Sequence, residues 1–330
     1  MNTRDRRPVG YSRRDFGKLA LIGGPLAWAA AKMPLEAFEQ INSKIKGVQI
    51  GAITYSFRSI PDPNDIIKAY VSIGLGEMEL MSGDAEKLAG APAPARGGGG
   101  GRGATPTPEQ IAARDAAAKA RLDWRTSASE ATFRPVRKKI EDAGIDLRVL
   151  CYNMSNRAAN PTKDDEIEYA FNMAKWLGVR AMSTSTQVSM AKRLAPFAEK
   201  YKMMVGFHGH DSVDQPDEVH NEASFKAVMA AGKYLGANLD VGHYTAAGGD
   251  AVAFIKQYHD RITNLHFKDM IRNKSNSYVP FGQGDAPLKQ VLLLMSQEKW
   301  DIPVNIEFEY PGDALVEIPK CLQFCKNALA

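Results

Sequence analysis

The sequence predicts a single-domain α/β protein, a closed (β/α)₈ TIM barrel. From Gly47 onward, short runs of β-branched and apolar residues alternate with helical patterns, which is typical of βα units and a parallel sheet. Eight such pairs fit into about 280 residues, which is the number and size of a closed parallel barrel. A doubly wound open sheet is the alternative, but no glycine-rich dinucleotide-binding motif follows the first strand.

Eight segments have the composition of buried parallel strands. They are Val48–Thr54, Gly76–Met81, Asp146–Asn153, Arg180–Ser185, Met203–His210, Ala237–Val241, Ile262–Lys268 and Pro303–Glu309. Gly144, Gly178 and Gly236 precede three of these strands, and we expect each to end a helix in a left-handed conformation. The clearest helical patterns cover Asp164–Leu177, Val188–Lys200, Asp217–Leu235 and Asp250–Tyr258.

Residues 1–32 have the pattern of an export leader. The run SRRDFGK at 12–18 precedes a short apolar stretch that ends in small residues, and this is similar to a twin-arginine signal. The stretch is too short and too rich in Gly and Ala to be a stable membrane span. We therefore expect a periplasmic or extracellular protein, with residues 33–46 as a linker or N-terminal helix. A basic arm without an export role is the alternative.

The net charge argues against a nucleic-acid partner. The whole chain carries +4, but residues 1–32 hold seven Lys or Arg against two Asp, so the rest of the chain is near −1. No basic stripe remains that could follow a phosphate backbone. Cys151, Cys321 and Cys325 match neither a disulfide framework nor a metal motif, and the last two are expected to pack in a helix.

One segment does not have the composition of a barrel. Residues 91–108 (APAPARGGGGGRGATPTP) consist almost entirely of Ala, Gly and Pro. Such a composition cannot form a packed core, so we expect a flexible insertion in the second βα loop. The predicted barrel therefore spans residues 47–330 and contains this insertion.

Histidines and carboxylates gather at the predicted C-terminal ends of four consecutive strands, where the active sites of such barrels form. These residues are His208, Asp240, His266 and Glu307. An isolated buried histidine is usually a satisfied core group. Four uncompensated polar groups in one barrel mouth would each cost a few kcal/mol. The sequence therefore predicts a divalent metal site, and the mixed ligand set favours Mn²⁺, with Zn²⁺, Co²⁺ and Fe²⁺ as alternatives.

The runs NLDVGHYT, NLHFKDMIR and VNIEFEYPGD resemble the last third of the xylose isomerase-like barrels. That family includes sugar-phosphate isomerases, ketose 3-epimerases and inosose dehydratases. The resemblance implies that Asp240, His266 and Glu307 bind the metal. It also implies that His243, three residues after the Asp, and Arg272, six residues after the strand-seven His, hold substrate oxygens.

One position departs from the pattern of this family. The ketose epimerases place a Glu on the fifth strand, as a metal ligand that also moves a proton, and His208 occupies that place here. An imidazole can replace the carboxylate as a ligand, but a shuttle of two carboxylates then loses one member. Beside Glu307, we expect Glu309, His210 or Lys268 to supply the second catalytic acid or base.

Two further residues are expected to contact substrate. Glu79 ends the second predicted strand and could reach hydroxyl groups. Phe57 follows the first strand together with Tyr55, where the family often places an aromatic wall against the sugar. A structural ion pair for Glu79, and ordinary loop packing for the two aromatic residues, are the alternatives.

These residues together predict a metal-dependent sugar isomerase or epimerase that removes a proton next to a carbonyl. A metal-dependent lyase or dehydratase acting on 3-keto-glycosides is the main alternative, because export and the His208 departure both favour it. A non-catalytic sugar-binding barrel is open as well, whereas the charge speaks against a barrel endonuclease. The expected partner is a small-molecule sugar or glycoside, and the sequence leaves a homo-oligomer open.

Overall fold

The structure is a computed structural model that describes residues 41–93 and 107–330. The predicted leader, residues 33–40 of the predicted linker and residues 94–106 of the predicted insertion lie outside this part. At the described end of the linker, Lys44–Ile45 forms a short strand that pairs antiparallel with the first barrel strand. At the far end of the insertion, Thr107 caps a helix instead of continuing an irregular loop.

Eight parallel strands form the barrel. They are Val48–Ile53, Glu77–Met81, Asp146–Cys151, Ala181–Ser185, Met204–His208, Leu235–Asp240, Ile262–Phe267 and Val304–Ile306. The first strand pairs with both the second and the eighth, so the sheet closes on itself. The predicted TIM barrel is therefore confirmed, and the strand ends differ from the predicted ones by no more than three residues.

Helices connect the strands and surround the barrel. In the described residues they are Pro63–Ile73, Ser82–Leu88, Pro108–Ser127, Glu130–Asp142, Asp164–Leu177, Ala191–Tyr201, Glu222–Ala231, Val241–Ala246, Ala251–Tyr258, Leu288–Glu298 and Ala314–Ala328. Single 3₁₀ turns occur at Thr54–Phe57, Val188–Met190 and His259–Arg261. After the seventh strand, Asp269–Met270 and Tyr278–Val279 form a two-stranded antiparallel ribbon.

The predicted helix end at Gly236 is wrong. Gly144 and Gly178 have the expected positive φ, but Gly236 lies inside the sixth strand. A Cβ at Gly236 would lie 2.0 Å from the backbone oxygen of Arg261, so a glycine is needed there for strand packing. The preceding helix accordingly ends at Ala231, earlier than the periodicity predicted.

The hydrophobic core fills the layer between the strands and the helices. Phe57, Tyr70, Phe133 and Phe171 are among its largest fully buried side chains. As predicted, Cys321 and Cys325 are buried and unpaired within the last helix. None of the helices in residues 41–93 and 107–330 has the length and apolar character needed to cross a bilayer.

The barrel interior contains a chain of buried polar side chains below the mouth. Asn305 donates to the Glu77 carboxylate at 2.5 Å, and Asn264 donates to Asn305 Oδ1 at 3.0 Å and to Glu79 Oε2 at 2.8 Å. Burial raises the pKa of Glu77 well above its ordinary value, although the nearby guanidinium of Arg148 acts in the opposite direction. Buried polar groups are costly when they are unpaired, so the side chains of this network must have room to lie within hydrogen-bond distance of one another.

Gly51 leaves the room that the Glu77 carboxylate needs, so replacing this glycine should destabilise the barrel. A Cβ at position 51 would lie 1.9 Å from Glu77 Oε2 and 2.5 Å from the Glu77 backbone oxygen. Gly51→Ala should therefore lower the free energy of unfolding by about 1–3 kcal/mol, as measured by denaturant titration. Gly83→Ala is the control, because a Cβ in that helix meets nothing within 4 Å. Equal stabilities of the two variants would contradict the packing described here.

Candidate active site

A cavity of about 270 Å³ opens at the C-terminal ends of the barrel strands. Its lining combines polar and ionisable groups with a few aromatic and sulfur-containing side chains. The lining residues are Ile53, Tyr55, Met81, Cys151, Asn153, Ser185, His208, His210, Asn238, His243, His266, Lys268, Tyr278, Glu307 and Glu309. Most of the predicted site residues therefore face one common space.

Four buried side chains form a cluster beside this cavity, and all of them except Asp240 line it. His208, Asp240, His266 and Glu307 each offer one nitrogen or carboxylate oxygen, and these four atoms all lie within 4.8 Å of one another. The register of the sheet explains the convergence, because Asp240 pairs directly with His266 on the next strand. The four residues that the sequence predicted as metal ligands thus form a cluster that could hold a metal ion.

The hydrogen-bonding state of the cluster fits a cation. Nδ1 of His208 and Oδ2 of Asp240 are buried and have no hydrogen-bond partner. Lys268 Nζ lies 3.2 Å from Asp240 Oδ2, which is ion-pair range but without hydrogen-bond geometry. Buried polar atoms without partners are costly, and a mixed nitrogen and oxygen donor set suits a divalent transition metal.

His208 has the protonation state that a ligand needs. Burial, together with the nearby imidazoles of His266 and His210, lowers the pKa of His208 well below its ordinary value. A neutral imidazole keeps one nitrogen lone pair available for a metal. The residue that replaces the glutamate of the epimerase pattern is therefore suited to binding a cation.

His266 is held between two carboxylates. Its Nδ1 lies 2.8 Å from Glu307 Oε2, and its Nε2 lies 2.5 Å from Glu79 Oε2. Burial opposes a charge on the ring, but Glu79 and Glu307 outweigh it and raise the pKa of His266 well above its ordinary value. In this charged form both ring nitrogens carry hydrogens, so a cation could bind Nδ1 only in place of its proton. Glu79 would then accept from Nε2 and orient the ring, as carboxylates commonly do for histidine ligands.

Glu79 therefore has a different position from the predicted one. It is fully buried and does not line the cavity. Besides His266, it accepts hydrogen bonds from Ser183 Oγ and Asn264 Nδ2. This position orients His266 from below and leaves Glu79 out of reach of a substrate hydroxyl.

Lys268 lines the cavity next to the cluster. Its Nζ is 2.5 Å from Glu309 Oε2, 3.1 Å from Glu307 Oε2 and 2.9 Å from His243 Nε2. Burial alone would lower the pKa of Lys268, but Asp240, Glu307 and Glu309 raise it well above its ordinary value. The side chain is therefore an ammonium ion next to the ligand cluster.

The same charges act on Glu307. Burial works to raise the pKa of Glu307, whereas Lys268 and His266 hold it well below its ordinary value. The carboxylate is ionised, as both a ligand and a base require.

His243 and His210 each contact a carboxylate that the sequence analysis missed. His243 Nδ1 lies 3.0 Å from Asp211 Oδ1, in an off-axis contact, and His210 Nδ1 lies 2.9 Å from Glu218 Oε1. Burial acts to raise the pKa of Asp211, but His243 and a backbone N–H hold it well below its ordinary value. Both carboxylates belong to the loop after the fifth strand, and the only signal for Asp211 was its position directly after His210.

Two predicted substrate contacts lie elsewhere. Arg272 is exposed and donates to the backbone oxygens of Gly248 and Gly249 at 3.2 Å, so its guanidinium does not line the cavity. Phe57 is fully buried and packs on Tyr70, with 5.2 Å between ring centroids. Tyr55, the neighbour of Phe57, lines the cavity instead.

Solved structures of similar fold include proteins with several activities. The chain resembles a probable 3-DHS dehydratase from Bacillus anthracis with a TM-score of 0.59 and 14% identity, over 84% of this chain and 98% of the other. It resembles a sugar phosphate isomerase/epimerase from Parabacteroides distasonis with a TM-score of 0.53 and 16% identity, over 84% and 95%. It resembles the IOLI protein, solved with a bound zinc atom, with a TM-score of 0.55 and 14% identity, over 85% and 96%.

At such low identity these three similarities establish the fold alone. No curated protein matches the chain in sequence. A sequence model described as xylose isomerase-like TIM barrel matches residues 113–327, which is more than half of the chain. The chain belongs to the xylose isomerase-like TIM barrel family.

Proposed function

We propose that the chain is a metal-dependent isomerase or epimerase that removes a proton next to the carbonyl of a sugar or sugar-like polyol. The observation that carries this proposal is the four-residue cluster, of which His208, His266 and Glu307 line the same cavity as Lys268 and Glu309. This reaction requires metal-binding atoms and groups that can transfer a proton within one small cavity. Family membership supports the same reaction class.

A divalent cation held by His208, Asp240, His266 and Glu307 would polarise the carbonyl and stabilise the negative charge that develops on its oxygen. Mn²⁺ is the proposed ion, and the zinc in the IOLI structure keeps Zn²⁺ as an alternative.

The remaining groups of the cavity would carry the proton. Glu309 is the proposed base, because its carboxylate lines the cavity and is not one of the clustered ligand residues. The Lys268 ammonium, 2.5 Å from Glu309, would donate to a substrate oxygen. His210 follows the fifth strand, three strands around the barrel from Glu309, and would exchange a proton at a second position. Glu309 and His210 thus replace the pair of glutamates in the epimerase pattern.

A lyase or dehydratase acting on 3-keto-glycosides is the second candidate. Without a carboxylate at position 208, the cavity lacks the symmetric pair that suits simple epimerisation. Loss of a β-substituent needs only one base and an acid at the leaving group. The probable dehydratase among the structures of similar fold supports this alternative.

Two further proposals from the sequence concern the cellular location of the protein and its partners. We keep the export of the protein by a twin-arginine leader as a proposal, because residues 1–32 lie outside the described part of the chain. Nucleic acid is an unsuitable partner, because the charge of the remaining chain is near −1.

A non-catalytic sugar-binding barrel is the candidate from another class of function. Such a protein would bind sugar without turnover, and an assay of proton exchange distinguishes it from an enzyme.

Metal content is the first test of this proposal. The purified protein should bind one divalent cation per chain, and Asp240→Asn should abolish this binding, because it removes a charged ligand from the cluster. The measurement is elemental analysis together with titration calorimetry for Mn²⁺ and Zn²⁺. Asp214→Asn is the control, since it removes the same charge from an exposed position. Unchanged cation binding by Asp240→Asn would disprove the assignment of the ligands.

The orientation of His266 by Glu79 gives a separate prediction. Glu79→Gln keeps the four ligands but weakens the carboxylate contact with His266 Nε2, so the Kd for the cation should rise about 10- to 100-fold. The same calorimetric titration measures this change. A Kd equal to that of the wild type would mean that Glu79 has no role in orienting His266.

Proton transfer is tested by exchange with solvent. With cation bound and in D₂O, the wild type should introduce deuterium next to the carbonyl of a keto- or aldo-sugar substrate. Glu309→Gln should lower the exchange rate by about 10²- to 10⁴-fold with little change in cation affinity. NMR of the products separates an isomerised sugar from an eliminated one. Binding of keto- or aldo-sugars without deuterium uptake by any of them would favour the non-catalytic barrel.

A further inference from the structure

The ring of Tyr278 faces two of the ionisable groups in the cavity. Its centroid lies 5.5 Å from Lys268 Nζ and 5.9 Å from the centroid of the His243 ring. All three side chains line the cavity. Tyr278 belongs to the segment 271–286, which follows the seventh strand and is called the seventh-strand loop below. This loop therefore supplies the aromatic wall of the cavity beside Lys268 and His243.

These contacts involve the ring of Tyr278 and not its hydroxyl group. Among the described residues, the hydroxyl makes a single long hydrogen bond, to Asn276 Oδ1 at 3.4 Å. A lysine amino group over an aromatic face is attracted by the electrons of the ring, and the ring covers it from water. A phenylalanine ring at this position would make the same contact with Lys268.

Asp269 anchors the seventh-strand loop at its far end. Its buried carboxylate accepts hydrogen bonds from the backbone N–H groups of Gly282, Gly284 and Ala286 at 2.7, 3.0 and 3.2 Å. A Cβ at position 284 would lie 2.2 Å from Asp269 Oδ1, so the loop can approach this closely only with a glycine there. The end of the loop is thereby fixed to the residue that directly follows Lys268.

Asp211 anchors the middle of the same loop from the loop after the fifth strand. Its Oδ2 accepts from the backbone N–H of Asn276 at 2.8 Å, and its backbone oxygen accepts from Ser275 Oγ at 3.1 Å. Tyr278 itself pairs with Met270 in the two-stranded ribbon. Anchors on both sides of Tyr278 therefore determine where its ring lies.

A bound cation would make the ring more important for the position of Lys268. Asp240 and Glu307 belong to the four-residue cluster, whereas Glu309 does not. A cation held by the cluster would compete with Lys268 for the negative charge of Asp240 and Glu307. The Lys268 side chain would then depend on its remaining neighbours, which include the Glu309 carboxylate and the ring of Tyr278.

We propose that Tyr278 is a positioning residue, whose ring holds Lys268 against Glu309 and keeps water away from this pair. Asp211 and Asp269 hold the ring in place through the backbone of the seventh-strand loop. Exclusion of water strengthens the interactions between charged groups and a reacting molecule. This inference rests on the proposed function for the part that Lys268 and Glu309 play in proton transfer.

The kinetic test uses deuterium exchange by the full chain with bound divalent cation and a keto- or aldo-sugar substrate. Tyr278→Ala should lower kcat about tenfold and change KM less than about threefold, because the ring acts through Lys268. Tyr278→Phe should restore the rate to within about twofold of the wild type, since it keeps the ring. Tyr234→Ala is the control, because its ring also lies near lysines, Lys202 and Lys233, but does not line the cavity.

Three kinetic results would overturn the positioning role. The first is an unchanged kcat in Tyr278→Ala. The second is a Tyr278→Phe variant as slow as Tyr278→Ala, which would assign the effect to the hydroxyl group. The third is a rise in KM with unchanged kcat, which would make the ring a simple contact surface for the substrate.

A chemical measurement tests the position of Lys268 without substrate. The full chain is treated with acetic anhydride, and acetylation of each lysine is followed by mass spectrometry of peptides. Lys268 is 2% exposed and should react at least about tenfold faster in Tyr278→Ala than in the wild type or Tyr278→Phe. Exposed Lys274 on the same loop is the internal control and should react equally in all variants.

Asp269→Asn tests the anchor of the loop in the same measurement. The amide nitrogen that replaces one carboxylate oxygen cannot accept from a backbone N–H, so acetylation of Lys268 should again become faster. Equal protection of Lys268 in the wild type and Asp269→Asn would contradict the role of Asp269.

The labelling and the kinetics separate this inference from the proposed function. Equal protection of Lys268 in Tyr278→Ala and in the wild type would overturn the inference, whatever the activity. The expected labelling in a protein that never exchanges deuterium would support the position of Lys268 against Tyr278 and contradict the proposed reaction.

Discussion

The compensation of buried charge in the barrel mouth is the constraint on which the site depends. Asp240, His266, Lys268 and Glu307 are each at most 6% exposed, although all four are ionisable. Ions in such a position are stable only when other charges or ligands satisfy them. Around Lys268, carboxylates and cationic groups alternate and compensate one another. His208 Nδ1 and Asp240 Oδ2 still have no hydrogen bonds. Other buried atoms of the described residues, such as His243 Nδ1, also lack a hydrogen bond, but these two belong to the four-residue cluster, where a bound cation would satisfy both of them.

The constraint continues below the mouth. The interior of a TIM barrel is normally filled by branched apolar side chains, but here Glu77, Glu79, Asn264 and Asn305 form a connected polar chain. This chain ends on His266, the ligand residue with carboxylates on both ring nitrogens. Polar side chains thus occupy interior positions that apolar residues usually fill, and they orient the imidazole of His266. Gly51 makes this arrangement sterically possible, because it leaves room for the Glu77 carboxylate.

The fold and the ligand cluster could be predicted from the sequence because both follow from strand periodicity. Parallel strands of a closed barrel end at one rim, so residues near the ends of strands five to eight had to converge once the strands were correctly located. His208, Asp240, His266 and Glu307 illustrate this directly. Their relative positions depend on backbone register, which is strongly determined wherever a strand is buried.

The remaining residues depend on side-chain direction in loops and on contacts between distant segments. Arg272 turned towards backbone oxygens of another loop, and Phe57 turned into the core, although each follows a strand. Glu79 is close to His266 although 187 positions separate them, a contact that spacing along the chain does not reveal. Asp211 and Glu218 acquired their roles from the path of one loop. Such contacts are set by tertiary packing, and a local pattern carries little information about them.

The metal site at the barrel mouth is tested most directly by an anomalous-scattering map from crystals grown with Mn²⁺, recorded at a wavelength where manganese contributes. The assignment of the ligands predicts one strong peak at coordination distance, about 2.0–2.3 Å, from His208, Asp240, His266 and Glu307 together. The absence of any peak at the barrel mouth, or a peak bound by other residues, would contradict it.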